Sequence, residues 1–216
     1  PCSSVARKRP CPIRVHPRKS VAKNSLPEGF ELREGWLAPE EGHALFGALM
    51  VQVPWEVHRI MMFGRPVDSP RLSCWIGDPG TGYVYSRTRF EPRPWPDALA
   101  ALRARIDEAA GVAMNSVLAN LYRNGRDAMG WHSDDEPELG ARPVIASLSL
   151  GGTRRFAVKH RRDPDRKFTL ELPHGSLLLM SGDSQADWKH ALPRTARPVP
   201  ARINLTFRRV FPAQLR

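Results

Sequence analysis

The chain has 216 residues, only three cysteines, no long apolar run, and no acidic residue before Glu28. Cys2, Cys11 and Cys74 form no CxxC pair and are odd in number. That argues against a disulfide framework or a thiolate zinc site, and for a reducing compartment. The apolar stretch Leu177-Leu178-Leu179-Met180, like every other in the chain, falls far short of the roughly 20 residues that span a bilayer. It reads instead as a buried strand, and no membrane partner is expected. No apolar signal-peptide core is evident, so a bacterial cytoplasmic location is expected. No repeat of solenoid period is found. With 21 prolines, long uninterrupted helices are disfavoured and loops are many.

What is present in excess is positive charge. The net charge is +11, which favours polyanionic partners, nucleic acid first. Arg7, Lys8, Arg9, Arg14, Arg18, Lys19 and Lys23 supply seven of these charges before the first acid. Residues 1–26 are therefore expected to be a basic, disordered tail. A transit-peptide helix there is disfavoured by Pro10, Pro12 and Pro17. Residues 27–216 are long enough for one domain with a full core, expected as a monomer.

The periodicity predicts two helices. One runs from Pro39 to Met50, with Pro39 in the first turn, Glu40 and Glu41 beside it, and Ala44, Leu45, Ala48 and Leu49 on one face. The other runs from Asp97 to Ala110, with Asp97 as its cap, a Leu99–Leu102–Ile106 stripe, and Gly111 at its end. From Ser116 the period becomes two. Strands are expected over Ser116–Arg123, Pro143–Leu150, Arg155–His160, Lys167–Leu172, Ser176–Ser181 and Ala201–Val210. The expected fold class is α+β, a double-stranded β-helix (jelly roll) with flanking helices.

Two strands carry an unusual polar face. In the last, Ile203, Leu205 and Phe207 share one side, and Arg202, Asn204, Thr206 and Arg208 share the other. Leu118, Asn120 and Tyr122 likewise share a side of the Ser116 strand. A solvated face is the commoner meaning of such a pattern. Inside a jelly roll it would instead line a polar pocket.

His132 and Asp134 lie two apart, so on an extended segment their side chains point the same way. His190, beyond an apolar strand and placed at a loop end, could supply a third ligand. Two imidazoles and a carboxylate suit non-haem iron. With seven histidines in the chain, an isolated HxD has a surface reading as well.

Taken in order, Asn120-Leu121-Tyr122, His132-Ser133-Asp134-Asp135-Glu136, Pro143–Leu150, His190 and Arg202-Ile203-Asn204-Leu205-Thr206-Phe207-Arg208 resemble the AlkB family of iron- and 2-oxoglutarate-dependent nucleic-acid demethylases. Phe63-Gly64 and Tyr83-Val84-Tyr85-Ser86 extend the resemblance toward its duplex-DNA repair type. The resemblance implies that His132, Asp134 and His190 bind Fe(II). Arg202, with Tyr122 and Asn120, would hold the far carboxylate of 2-oxoglutarate. Arg208, Asn204 and Thr206 would serve the end nearer the metal, with O2 as the other co-substrate. A planar guanidinium suits this task because it grips a carboxylate with two parallel hydrogen bonds.

The resemblance also implies oxidative N-demethylation of bases such as 1-methyladenine and 3-methylcytosine, with alkylated DNA, single- or double-stranded, or RNA as partner. Tyr85 would stack on the flipped base and Tyr83 bond nearby, with Ser86 and Phe63 also at the substrate. Glu136 would lie near the exocyclic amine, with Asp135 as a second candidate. Met61-Met62-Phe63-Gly64 reads either as a wedge into the base stack or as a buried segment. Arg65, Arg71, His160, Arg161 and Arg162 could hold phosphates, and Trp131 could narrow the pocket mouth or change substrate preference. The competing readings are the same chemistry on RNA or protein, a nucleic-acid-binding protein without turnover, and a zinc hydrolase. The last gives Arg202 and Arg208 no shared task.

Overall fold

The computed structural model describes residues 26–62, 65–85 and 88–211, without the side chains of 60–62, 66, 83–85 and 88–90. The expected tail at 1–26 thus lies, but for Leu26, outside the described residues, as do Phe63, Gly64 and Ser86.

Helix α1 (Pro39–Gln52) begins where Pro39 satisfies the first turn. Its buried side is Gly42 and Leu49, flanked by Leu45 and Phe46. Ala44, expected on this face, is exposed. Helix α2 (Asp97–Ala110) buries Leu99, Leu102 and Ile106 and ends at Gly111, in the left-handed region at φ 66°. Asp97 does not cap it: the cap is Pro96, with no side-chain cap bond, and Asp97 is the first helical residue. There its charge still favours the positive end of the helix dipole.

The strands are β1 (Phe30–Arg33), β2 (Glu56–Met62), β3 (Arg65–Gly77), β4 (Tyr83–Tyr85), β5 (Thr88–Phe90), β6 (Ser116–Tyr122), β7 (Met129–His132), β8 (Ile145–Gly151), β9 (Arg154–His160), β10 (Lys167–Leu172), β11 (Ser176–Met180), β12 (Trp188–Leu192) and β13 (Arg202–Arg208). A short helix, α3 (Ser184–Asp187), precedes β12. A seven-stranded sheet has the order β1-β11-β8-β13-β6-β3-β2, and a four-stranded sheet the order β10-β9-β12-β7. All strand pairings within these sheets are antiparallel. This is the expected jelly roll with helices packed on one side.

Each expected strand from Ser116 onward forms, with no end shifted by more than two residues and Lys167–Leu172 unchanged. The β2–β3 hairpin was not foreseen. Proline disfavours a strand interior, and Pro66 and Pro70 interrupt the pattern. The structure accommodates Pro70 at a break in register, where Val57 pairs with Leu72 and Arg59 already pairs with Asp68.

Strand β13 lies in the middle of the larger sheet, and all seven of its residues are buried. Ile203, Leu205 and Phe207 pack with Leu49, Leu99 and Ile106 in the core beneath the helices. A second core between the two sheets includes Tyr122, Ile145, Phe156, Val158, Met180, Trp188 and Leu192. Burying each large apolar side chain contributes about 1.5–3 kcal/mol. The helices thus fix one face of β13 while the other face turns into the space between the sheets.

Candidate active site

Register builds this site. His190 on β12 pairs directly with His132 on β7, so both imidazoles project from the same face into the space between the sheets. Their rings meet edge to face, with centroids 4.2 Å apart. His190 is a strand residue, not the loop end expected from sequence. Asp134 follows two residues after His132 and is buried. The ligand atoms of His132, Asp134 and His190 all lie within 4.8 Å of one another, close enough for one ion to touch all three.

Each ligand is held from behind. The Nδ1 of His132 donates to the Gly130 carbonyl at 2.8 Å, which leaves Nε2 as the metal-binding nitrogen. Phe156 stacks on His190, with centroids 5.2 Å apart. Asp134 accepts from Arg208 Nη2 at 2.6 Å, and its backbone N–H donates to Gln185 Oε1 at 2.9 Å. Between the two ligands, Ser133 points the other way and donates to the Trp188 carbonyl at 2.6 Å, pinning the segment to β12.

Electrostatics leaves the three groups ready for a cation. Burial holds the His132 imidazole below its ordinary value. Burial, then His132 and Arg208, push His190 down to about 3. Burial alone would raise the Asp134 carboxyl, but Arg208 and the two histidines outweigh it and bring the group to about 2. Near neutral pH the site therefore offers two neutral imidazoles and one carboxylate, the protonation that a metal requires. No sulfur ligand is present in the cluster, and this donor set fits Fe(II).

The same cavity is lined by Leu118, Asn120, Tyr122, Met129, Ser147, Phe156, Met180, Leu192, Arg202, Asn204, Thr206 and Arg208. Arg202 is 2% exposed, and its guanidinium stands 5.3 Å from the centre of the Tyr122 ring. Nη2 donates to Ser149 Oγ at 3.0 Å, while Nε and Nη1 have no hydrogen-bond partner. Burial lowers this guanidinium to about 10, still charged near neutrality. A buried cation with two unused donors is costly unless an anion completes it, and a carboxylate of a keto acid would do so. Asn204 Nδ2 donates to Ser147 Oγ at 2.8 Å and to the Leu148 carbonyl at 3.1 Å, and Thr206 Oγ1 donates to Asn204 Oδ1 at 3.1 Å. Ser147 and Ser149, which sequence reasoning passed over, are legible in hindsight. They alternate with Leu148 and Leu150, as the polar residues of β13 alternate with its apolar ones.

The expected substrate residues fall in different places. Arg71 is expected at a phosphate. It is 5% exposed and donates to Asn120 Oδ1 at 2.6 Å and Ser69 Oγ at 3.0 Å. Buried and engaged there, it backs Asn120, a residue of the cavity lining. Asp135 is exposed and pairs with Arg161, outside the cavity lining. Glu136 is half-buried and opens the single turn Pro137–Leu139, also outside that lining. Trp131 does not narrow the mouth: with His132 turned inward, the preceding residue points to the outer face, 47% exposed. Tyr83 and Tyr85 lie on β4, which pairs with β5, but their side chains are outside the description. Phe63 and Ser86 lie outside the described residues altogether.

A profile of the 2OG-Fe(II) oxygenase superfamily matches residues 29–208. The human alpha-ketoglutarate-dependent dioxygenase alkB homolog 3 is 40% identical over 221 residues, spanning 96% of this chain and 76% of that protein. The chain belongs to the AlkB family of Fe(II)- and 2-oxoglutarate-dependent dioxygenases. A second AlkB relative, the bovine DNA oxidative demethylase ALKBH2, is 37% identical over 165 residues, spanning 73% of this chain and 59% of that protein. The fold is also that of the solved structure of OsALKBH1, with a TM-score of 0.62 at 17% identity, covering 85% of this chain and 98% of that one. Fe(II) and 2-oxoglutarate are thus its cofactor and co-substrate. Of these two relatives, identity is higher to alkB homolog 3 than to ALKBH2.

Proposed function

We propose that this AlkB-family dioxygenase removes methyl groups from ring nitrogens of alkylated DNA bases, of the 1-methyladenine and 3-methylcytosine type. The observation that carries this reading is one cavity holding both the His132–Asp134–His190 cluster and the incompletely bonded Arg202, in a chain whose relative ALKBH2 is named a DNA oxidative demethylase.

Arg202, beside Tyr122 and Asn120, would take the far carboxylate of 2-oxoglutarate. Asn204, Thr206 and Arg208 would serve the end nearer the metal, with His132, Asp134 and His190 holding Fe(II). The iron, when bound, supplies the oxidising power that divides O2 between 2-oxoglutarate, giving succinate and carbon dioxide, and the N-methyl group, giving a hydroxymethyl that leaves as formaldehyde. The apolar residues Leu118, Met129, Phe156 and Leu192 keep water from the site. Arg208 holds the Asp134 carboxylate in its ligating position. The target base must leave its stack to reach this cavity, and a methyl on its pairing edge makes that extrusion cheaper. Glu136, on the segment that follows Asp134, would by its negative charge favour a cationic lesion.

The test is incubation with Fe(II), 2-oxoglutarate and oxygen of single- and double-stranded oligonucleotides, an RNA and a peptide, each carrying one N-methyl group, read by mass spectrometry. Loss of 14 mass units from the methylated DNA, dependent on both cofactors, is expected. Loss confined to RNA or peptide would refute the substrate assignment.

A further inference from the structure

The outer face of the four-stranded sheet carries a feature that the dioxygenase chemistry does not use. Lys167 on β10 pairs with Lys159 on β9, and Lys159 pairs with Lys189 on β12. His190, next to Lys189, turns into the cavity, so the three lysines share the opposite, outward face. Like charges placed directly opposite one another on a sheet are destabilising. Here three stand in one row across three neighbouring strands, and no salt bridge among the described residues involves any of them.

The next row is nearly bare. It holds Thr169 and Ala157, paired with each other, and Ala191, paired with Ala157. At its edge Trp131 closes the row, 47% exposed, with Lys159 Nζ 4.3 Å from the ring centre. One row further, Arg155 pairs with Glu171, the single acid among these facing residues. The result is a shallow floor of small side chains, bounded on one side by three ammonium groups and at one end by an indole. It begins one residue from a metal ligand, yet on the far side of the sheet from the cavity.

We propose that this face binds the single-stranded flank of the polynucleotide whose target base enters the cavity. Lys159, Lys167 and Lys189 take its phosphates, and Trp131 stacks on an unpaired base. Phosphates relieve the lysine repulsion, and an indole stacks on any base without selecting sequence. A strand is favoured over a lipid surface because a flat aromatic at the end of a narrow cationic row matches alternating bases and phosphates. A bilayer would call for apolar side chains across the floor rather than two alanines and a threonine. The proposal rests on a nucleic-acid substrate for the central site.

The experiment compares the full chain with the K159Q/K167Q/K189Q variant and with Trp131→Ala and Trp131→Phe. It measures binding of an unmodified fluorescent single-stranded oligonucleotide across a salt series, with thermal unfolding as the fold control. Each lost phosphate contact lowers the log–log salt slope by about 0.7, so the triple variant should lose about 2 from the slope. Trp131→Ala should weaken binding roughly tenfold with little change in slope, and Trp131→Phe should restore much of it. Demethylation of a methylated trinucleotide should keep its wild-type rate in every variant, while KM for a long oligonucleotide rises. If the wild type demethylates but affinity and slope are unchanged in the variants, this proposal fails while the central function stands. If no methylated nucleic acid is a substrate, the central reading is what fails. Unchanged oligonucleotide binding with lost adhesion to anionic vesicles would reassign the face to a membrane and overturn the proposal.

Discussion

Arg208 Nη2 donates to Asp134 Oδ1 at 2.6 Å, and the two side chains are only 3% and 4% exposed. The last residue of β13 thus anchors a ligand from the segment after β7, joining the larger sheet to the metal cluster through one buried ion pair. Removing one partner of such a pair strands the other charge away from water.

Arg208→Met should therefore cost about 3–5 kcal/mol of stability in the metal-free protein. It should also raise the Asp134 carboxyl, since Arg208 is the largest influence holding it down. Chemical denaturation and iron titration at several pH values would measure both effects. A cost under about 1 kcal/mol, the range of exposed pairs, would show that the pair does not couple the two parts.

Arg202→Lys should act on the co-substrate instead. An ammonium keeps the charge but not the two-pronged geometry. A charge-assisted hydrogen bond contributes about 1.5–3 kcal/mol, so KM for 2-oxoglutarate should rise roughly 10- to 100-fold. Fe(II) affinity should change little. An unaltered KM would remove Arg202 from the co-substrate site.

Arg71 separates two roles cleanly. Its bond to Asn120 Oδ1 orients an amide that lines the cavity. Arg71→Met should raise KM for 2-oxoglutarate several-fold, as expected when a buried hydrogen-bonded partner is removed, and leave the salt slope of oligonucleotide binding unchanged. A fall of about 0.7–0.9 in that slope would restore the phosphate role.

How far the sequence foretold this arrangement differs along the chain. The polar side of β13 was legible because alternation is a local property, and the order of His132, Asp134, His190 and the two arginines carried the family resemblance. The direct pairing of His190 with His132 was not legible, since register between strands remote in sequence is set by packing. The bond from Arg71 to Asn120 was hidden for the same reason: a lone arginine after a proline gives no sign that its strand will be covered. Trp131 was misplaced although the rule that moves it, outward if His132 is inward, was available from alternation alone.

Acid should destabilise the metal-free protein through the same ligands. His190 is held at about 3, against an ordinary value of 6.5, so the unfolded chain takes up a proton that the folded one refuses. The associated stabilisation is fully present above about 6.5 and is lost as pH falls toward about 3. Asp134, held at about 2 against 3.8, adds to the loss at the lower end. Thermal unfolding of metal-free protein should show Tm falling steadily from about pH 7 to pH 4. His190→Phe should flatten part of that fall, and an equal slope in the variant would contradict the role given to His190.

The most direct test of the account is a limited-turnover experiment on one oligonucleotide with a single 1-methyladenine, measuring succinate, formaldehyde and restored adenine together. The account predicts near-equal yields of all three in the iron-loaded protein, and none of the three in Asp134→Ala. Succinate without formaldehyde or restored adenine, with every methylated base left intact, would contradict it.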